Sequence, residues 1–302
     1  MKGLSASRVV QGCLALALVS TAAIVQHNRY FERVWFQIEQ TENSGGPDRL
    51  PSYQVDIEGR AIGEETNVSA LSFDPERNTL VSVTNQRPHF LELSLDGELL
   101  RSIPLQGFKD PEAIEYISPG VYIIVEERRR RLTEVHINDA TTLIDIDDPA
   151  NAHQLDLSSV GEENKGFEGL AFDAANQRLF IAKERDPMRI FEVSGFMQHG
   201  PGPLRLQVRT DPERDQRLFL TDLSSLYYDS ATQHLWALSD ESKMVIELDQ
   251  NGQPLSSLNL RAGNLGLKAD IPQAEGMAMG SNGDLYLVSE PNLFYRFKRT
   301  VE

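Results

Sequence analysis

Residues 167–173 have the sequence Phe-Glu-Gly-Leu-Ala-Phe-Asp, a short apolar segment that opens on a carboxylate and ends at a polar turn. A similar segment returns four more times, and the five copies begin near residues 69, 112, 168, 224 and 275. This spacing of 43 to 56 residues is typical of β-propeller blades. In each copy an apolar second strand and an alternating third strand follow. The sequence therefore predicts an all-β domain of antiparallel blades.

The ends of the repeated region indicate how many blades there are. Four copies carry a fourth strand, but the last copy ends at Arg299 with only three. A strand of the same kind, residues 53–59, stands alone before the first copy. Pairing of this strand with the last copy would close the ring and remove its open edge. We therefore predict a five-bladed β-propeller over residues 51–302.

An apolar segment precedes the repeats. Lys2 and Arg8 come before residues 9–25, a run of 17 residues without charge. A helix of that length spans about 25 Å, near the lower limit for crossing a bilayer. Basic residues before such a helix favour a cytoplasmic N-terminus with the rest of the chain outside. We predict one transmembrane helix in the cell inner membrane and a propeller in the periplasm.

A cleaved signal sequence is the alternative for this segment, since residues 20–23 are small enough for a cleavage site and cleavage would release the protein into the periplasm. The predicted division is an anchor or signal segment at 1–36, a polar linker at 37–50, and the propeller at 51–302. Either way, the propeller is predicted to be exported to the cell envelope.

Composition restricts the chemistry of the predicted propeller. The only cysteine is Cys13, so the repeated region can form neither a disulfide nor a thiolate metal site. There are 45 acidic and 29 basic side chains, which give a net charge of −16. Such a surface repels nucleic acid, and we predict no nucleic-acid partner.

Acidic residues recur at one position of the predicted channel. The first strand of a blade lines the channel, and the second strand runs antiparallel beside it. The first residue of the first strand is therefore next to the last residue of the second strand. Polar or acidic residues occupy both positions in every copy. The predicted pairs are Ser69 with Asn85, Glu112 with Glu126, Glu168 with Glu184, Ser224 with Asp240, and Glu275 with Glu290.

Carboxylates gathered at one mouth of a channel repel one another unless some are protonated or a cation lies among them. Oxygen ligands without a thiol favour Ca²⁺ over zinc or copper. The competing interpretation is that these side chains cap strand ends or pair with Lys183, Arg185 and Arg128. The residues predicted as calcium ligands are Asn85, Glu112, Glu126, Glu168, Glu184, Asp240, Glu275 and Glu290.

Several segments resemble one known family, the SdiA-regulated (YjiK-like) family, and the resemblance extends in order from about residue 50 to residue 299. The resemblance implies an exported or membrane-anchored five-bladed propeller, distantly related to NHL repeats, with a calcium site. It does not identify individual ligands, and Ser69 and Ser224 depart from the acidic pattern. The segments include residues 105–112, 164–170, 182–187, 238–242, 271–276 and 289–292.

Two functions fit these features, and the fold alone cannot choose between them. The first is a calcium-binding module for an unknown envelope protein or small ligand. The second is a calcium-dependent hydrolase of a phosphoester or lactone, in which the ion polarises the substrate oxygen. The six histidines lie outside the repeated pairs, so no general base of distinct type stands out. We predict binding, with hydrolysis as the alternative and with no catalytic residue assigned.

Overall fold

The computed structural model describes residues 16–22, 26, 29–42, 52–158, 166–198 and 205–300. Within these ranges the strands form five antiparallel blades. Blade one contains β2 (Val68–Asp74), β3 (Thr79–Thr84), β4 (His89–Leu93) and β5 (Leu99–Gln106). Blade two contains β6 (Pro111–Ser118), β7 (Val121–Glu126), β8 (Arg131–His136) and β10 (Gln154–Asp156).

The other three blades follow the same order. Blade three contains β11 (Phe167–Asp173), β12 (Arg178–Lys183), β13 (Arg189–Ser194) and β14 (Gln207–Thr210). Blade four contains β15 (Ser225–Asp229), β16 (His234–Ser239), β17 (Met244–Leu248) and β18 (Pro254–Asn259). Blade five contains β19 (Ala274–Met279), β20 (Leu285–Ser289), β21 (Leu293–Thr300) and β1 (Ser52–Ala61).

A few elements lie outside this pattern. The two-residue strand β9 (Ile144–Asp145) adds in parallel to β5 at the outer edge of blade one. Helix α1 (Tyr30–Glu42) precedes the propeller, and α2 (Pro212–Arg217) connects blades three and four. A single 3-10 turn spans Pro149–Asn151.

Closure of the ring depends on the first strand of the propeller. β1 pairs antiparallel with β21, from Ser52 opposite Thr300 to Ala61 opposite Leu293. The innermost strands of successive blades contact one another, and β19 contacts β2 to complete the circle. The prediction that a strand before the first repeat completes the fifth blade is therefore confirmed.

The hydrophobic core lies between the blades. Five apolar clusters are present in the described residues, and each joins two neighbouring blades. For example, Ile123 of blade two packs in one cluster with Phe167 and Phe191 of blade three, and all three are almost fully buried. Burial of apolar surface contributes about 25 cal/mol per Å², so these five interfaces hold the ring at a fixed diameter.

In blades one, three and four, the hairpin between the first and second strands begins with an aspartate. The carboxylate of Asp74 accepts hydrogen bonds from the N–H groups of Glu76 and Arg77 at 2.9 and 3.0 Å. Asp173 accepts the N–H of Asn176 in the same way, at 3.1 Å. Such local bonds favour a turn over a continued strand. The turns therefore fix one end of each innermost strand, and the opposite ends meet at the other mouth of the channel.

Helix α1 packs against the propeller instead of extending away from it. The Arg33 Nε donates to the carbonyl of Phe219 at 3.0 Å, and the Phe36 and Phe219 ring centres lie 4.8 Å apart. The predicted membrane span at 9–25 lies mostly outside the described residues, and only 16–22 of it are described as helical. Among the described helices, none has the length and apolar character needed to cross a bilayer. The predicted linker at 37–50 begins within α1, and its remainder is not described.

The closure can be tested by truncation. A protein that begins at residue 65 lacks β1, so it exposes the backbone edge of β21 beside Phe294 and Phe297. We expect this protein to aggregate or to melt far below one that begins at residue 50 and keeps β1. The measurement is thermal unfolding followed by circular dichroism. Equal melting temperatures would show that β1 is not needed to close the ring.

Candidate metal centre at the channel mouth

Three glutamates reach the channel through β-bulges. Glu168 lies unpaired between the Phe167–Lys183 and Gly169–Ala182 pairs of β11 and β12. Glu112 and Glu275 occupy the same unpaired position in blades two and five. A bulge redirects a side chain at the end of a strand. All three carboxylates line a single cavity on the propeller axis as a result.

The glycines that follow two of these glutamates allow the blades to approach closely. A Cβ atom at Gly276 would lie 2.4 Å from the carbonyl carbon of Ala70 in blade one. At Gly169 it would lie 3.0 Å from the backbone nitrogen of Leu226 in blade four. Only glycine permits such contact between innermost strands. The repeated Glu-Gly pair thus combines an inward carboxylate with a close blade junction.

The second polar position is the residue that follows the second strand. In four blades its N–H donates to the carbonyl of the residue just before the innermost strand, at 2.9 to 3.3 Å. This shared hydrogen bond defines equivalent positions around the ring. In blade four, Asp240 follows Ser239 of β16 and lines the same cavity. The four residues that donate this bond are Asn85, Glu127, Glu184 and Glu290.

Glu126 does not occupy this position, which corrects the predicted pairing of Glu112 with Glu126. Glu126 is the last residue of β7 and is paired with Pro111, so it corresponds to Lys183 and Ser289, the last residues of β12 and β20. Its carboxylate is fully buried and forms ion pairs with Arg129 at 3.1 Å and with an Arg131 nitrogen at 2.5 Å. The next residue, Glu127, makes the equivalent backbone hydrogen bond, but it is not among the residues that line the cavity.

The residues equivalent to Glu126 in the other blades hold loops in place. Lys183 is buried, and its Nζ donates to the backbone oxygens of Arg185 and Asp186, both at 3.0 Å. The Ser289 hydroxyl donates to the Pro272 carbonyl at 2.7 Å. The last residue of the second strand therefore has a structural role, and in every blade but the second the residue after it lines the cavity.

The acidic mouth, as we name this cavity, has a volume of about 370 Å³. Seven of the eight residues predicted as calcium ligands line it, and Glu126 does not. Further lining residues lie next to the repeated polar positions, at sites where the residue type does not repeat from blade to blade. The predicted ligands that line it are Asn85, Glu112, Glu168, Glu184, Asp240, Glu275 and Glu290, Ser224 of the predicted pairs also lines it, and the lining residues not predicted are Asn67, Gln86, Arg185, Asp222, Glu241 and Gln273.

Asn85 links two of the carboxylates and presents an unused oxygen. Its Nδ2 donates to Glu112 Oε1 at 3.0 Å and to Glu290 Oε1 at 3.2 Å. Its Oδ1 is buried without a hydrogen-bond partner. A buried acceptor without a donor is costly, and a cation would satisfy it. The donor set at this point fits a hard metal ion.

A second acidic group adjoins the first. Ligand oxygens of Asp110, Glu112 and Glu127 lie within 4.8 Å of one another. A Cβ atom at Gly166 would lie 1.9 Å from the Cγ of Glu127, so glycine is required for this glutamate to sit there. Arg128 contacts Asp110 at 3.0 Å, but its side chain is 83% exposed. An exposed pair of this kind compensates the charge only weakly.

Burial and mutual repulsion change the protonation of the acidic mouth. Burial raises the pKa of Glu112 to about 8, although hydrogen bonds from Ser69 and Asn85 oppose the rise. Burial, with repulsion from Asp240, raises the pKa of Glu275 to about 9. For the same reasons the pKa of Glu168 is well above its ordinary value. Without a cation, Glu112 and Glu275 therefore hold protons near pH 7.

Basic side chains compensate only one side of the acidic mouth. Lys243 pairs with Asp240 at 2.6 Å, and Arg185 pairs with Glu184 at 2.5 Å. Among the described residues, no lysine or arginine forms an ion pair with the three bulged glutamates. The uncompensated charge is thus concentrated where the innermost strands of blades two, three and five begin.

The fold and this mouth define a class, the five-bladed propellers with inward carboxylates at one end of the channel. Residues 48–298 match the model of the SdiA-regulated family, and the chain belongs to that family.

Solved structures with a similar fold share little sequence. A chain of the nidogen/laminin complex is 16% identical, with a TM-score of 0.47 over 74% of this chain and 72% of that chain. A luciferin-regenerating enzyme is 13% identical, with a TM-score of 0.48 over 82% of this chain and 95% of that chain.

The raised pKa values predict an unusual pH dependence of stability. The folded, metal-free protein keeps protons on Glu112 and Glu275 that the unfolded chain loses near pH 4.5. The free energy of unfolding should therefore fall as pH rises from about 5 to 9, by about 1.4 kcal/mol per pH unit for each retained proton. Urea unfolding with a chelator present measures this slope.

A matched pair of variants serves as the control for this slope. Glu275→Gln should make the fall of the unfolding free energy with pH less steep. Glu98→Gln, at an exposed position, should leave this fall unchanged. A metal-free protein whose stability is constant or rises over this pH range would contradict the assignment.

Proposed function

We propose that the protein is a calcium-binding propeller of the cell envelope whose acidic mouth binds a small ligand or a partner protein. The observation that carries this proposal is the unpartnered Asn85 Oδ1, which lies beside carboxylates that have no basic partner. Structural needs alone do not account for such an arrangement, because both features are costly without a cation.

The donor atoms favour Ca²⁺. Every side chain that lines the acidic mouth and could bind a metal does so through oxygen, and no histidine or cysteine is among the described lining residues. Ca²⁺ takes about six to eight oxygen ligands in flexible geometry, which suits a ring of side chains from several blades. The residues that would hold the ion are Asn85, Glu112, Glu168, Glu275 and Glu290.

The adjoining group of Asp110, Glu112 and Glu127 is the other position at which an ion could bind. Glu112 belongs to both positions, so its removal cannot separate them. Glu275 belongs only to the first, and Asp110 belongs only to the second. Their individual variants therefore tell which position the ion occupies.

The acidic mouth is larger than an ion needs. Its volume of about 370 Å³ leaves room above the carboxylates for a small ligand or a peptide segment. Arg185 lies at the rim, where it pairs with Glu184 and Glu241. A ligand that carries an anionic group could contact both a bound ion and this guanidinium. The supported class of ligand is thus a small acidic molecule or an acidic group of a protein.

Calcium-dependent hydrolysis of a phosphoester or lactone remains the second candidate. Glu184 favours it, since this carboxylate lines the same open cavity and is held in place by Arg185. A bound ion would polarise a substrate oxygen, and Glu184 would accept the proton of the attacking water. Binding is the preferred proposal because no histidine lines the described part of the cavity.

The surface of α1 supports an envelope location at the membrane. Phe31, Val34, Trp35 and Ile38 follow helical spacing and are each about half exposed or more. The opposite face, with Arg33, is fixed to the propeller. An aromatic and aliphatic stripe directly after an apolar run suits the interface of a bilayer. We infer that α1 lies on the periplasmic surface of the inner membrane and holds the propeller beside that membrane.

Calcium binding can be tested through thermal stability. An ion that binds only the native state stabilises it by RT ln(1 + [L]/Kd), about 2.7 kcal/mol at a hundredfold excess over Kd. We expect calcium to raise the melting temperature by several degrees and a chelator to reverse the rise. Glu168→Gln and Glu275→Gln should weaken this response, because each removes a charge that faces the ion.

Two further variants complete the calcium experiment. Glu98→Gln changes an exposed charge and should leave the response intact. Asp110→Asn should leave it intact if the ion lies on the channel axis and abolish it if the ion lies in the adjoining group. A melting curve that calcium does not move, in a protein that contains no ion when purified, would refute the proposal and remove the Lewis acid of the hydrolase alternative.

The proposed topology predicts where a C-terminal reporter works. A phosphatase reporter that is active only outside the cytoplasm, fused after Glu302, should be active and should sediment with membranes. Replacing both Lys2 and Arg8 with glutamate should reduce its export, because the basic flank sets the orientation. A fusion that is expressed at full length but whose reporter is inactive would contradict the envelope proposal without bearing on calcium.

A further inference from the structure

The channel has a second mouth with a different chemistry. Along β6, Glu115 lies three residues beyond Glu112, about 10 Å away at the rise of an extended strand. At the height of Glu115 along the channel, the innermost strands of all five blades line a cavity of about 220 Å³. We name it the aromatic mouth, after its large side chains. They are Phe73, Tyr116, Ile117, Phe172, Tyr227, Tyr228, Met277 and Met279.

One carboxylate faces this apolar ring. Among the described residues that line the aromatic mouth, Glu115 is the only acid, and no lysine, arginine or histidine is present. Five aromatic side chains line the cavity, and the negative face of an aromatic ring attracts positive charge. The carboxylate adds a full charge at its wall.

Hydrogen bonds fix Glu115 as an acceptor. The Ser72 hydroxyl donates to Glu115 Oε2 at 3.0 Å. The same hydroxyl oxygen accepts the Tyr116 N–H at 3.0 Å, which directs the Ser72 proton toward the glutamate. The Phe172 N–H is a second donor to the carboxylate. Both bonds favour the ionised form.

Burial opposes this preference. It raises the pKa of Glu115 to about 8, so the carboxylate is disfavoured in the absence of a partner. The described residues around the cavity offer no positive partner. A cation from outside the chain would therefore stabilise the ionised form that the two hydrogen bonds favour.

We propose that the aromatic mouth binds a small organic ammonium, either a primary or a methylated amine, whose charge rests against Glu115 and whose substituents contact the aromatic rings. A hard metal ion is a poor fit, because a single carboxylate, with only neutral serine and tyrosine hydroxyls beside it, is a weak set of oxygen ligands. An anion would find no cation among the described lining residues, and a neutral apolar molecule would bury the carboxylate without compensation.

This site is separate from the acidic mouth. It shares β6 with that mouth, but neither its carboxylate nor its aromatic walls line the acidic cavity. Loss of amine binding and loss of the calcium response are therefore independent results. The inference stands whether or not the acidic mouth holds calcium.

The experiment uses the full-length protein and two probes of the same shape. Choline carries a quaternary ammonium, and 3,3-dimethylbutan-1-ol replaces its nitrogen with carbon. Isothermal titration should show choline binding at least about tenfold more tightly than the neutral alcohol. Glu115→Gln should remove most of this difference while leaving the calcium response of the melting temperature unchanged.

A second variant covers the case in which Glu115→Gln does not fold. Tyr227→Leu removes a half-buried ring from the wall and keeps the carboxylate, so it should weaken choline binding by about tenfold or less. Equal binding of choline and its neutral counterpart would overturn the proposal. Failure of both to bind, or unchanged choline affinity in Glu115→Gln, would overturn it as well.

Discussion

The structure depends on how it accommodates carboxylates that are brought together on the axis of a ring. Five innermost strands begin at one mouth, and three of them begin with a bulged glutamate, Glu112, Glu168 or Glu275. Their charges cannot spread apart, because the blades are fixed by apolar interfaces and by the β1–β21 closure. Protons or a cation must then neutralise the charge of these buried, mutually repelling carboxylates. The raised pKa values show the first solution, and the unpartnered Asn85 oxygen indicates the second.

The same geometry gives the two mouths opposite chemistries. At one end the bulges and the loops after the second strands supply oxygen atoms. At the other end, the innermost strands present aromatic and methionine side chains around the single carboxylate of Glu115. An ion bound at the acidic mouth would tie several blades together, so it would stabilise the scaffold that shapes the aromatic mouth. Because Arg33 fixes α1 to the propeller, both mouths hold a defined position relative to α1.

Much of this architecture could be predicted, since it follows from repetition. The returning strands predicted five blades, and the lone strand at 53–59 predicted the closure that β1 makes with β21. Seven of eight predicted site residues line the acidic mouth. The sequence could not separate Glu126 from Glu127, because both are acidic and because β6 has a further register shift beside the hairpin, between Tyr116 and Ser118. The aromatic mouth was missed for a different reason: in sequence, Phe172 or Tyr227 cannot be distinguished from core residues of a strand.

We infer that a cation, when it binds at the acidic mouth, replaces protons on the buried carboxylates. Calorimetric titration of the metal-free protein with calcium at pH 7, in two buffers of different ionisation enthalpy, counts the protons released for each ion bound. Because Glu112 and Glu275 have pKa values of about 8 and 9, the account predicts release of at least about one proton per ion. Calcium binding without proton release, or no binding at all, would contradict it.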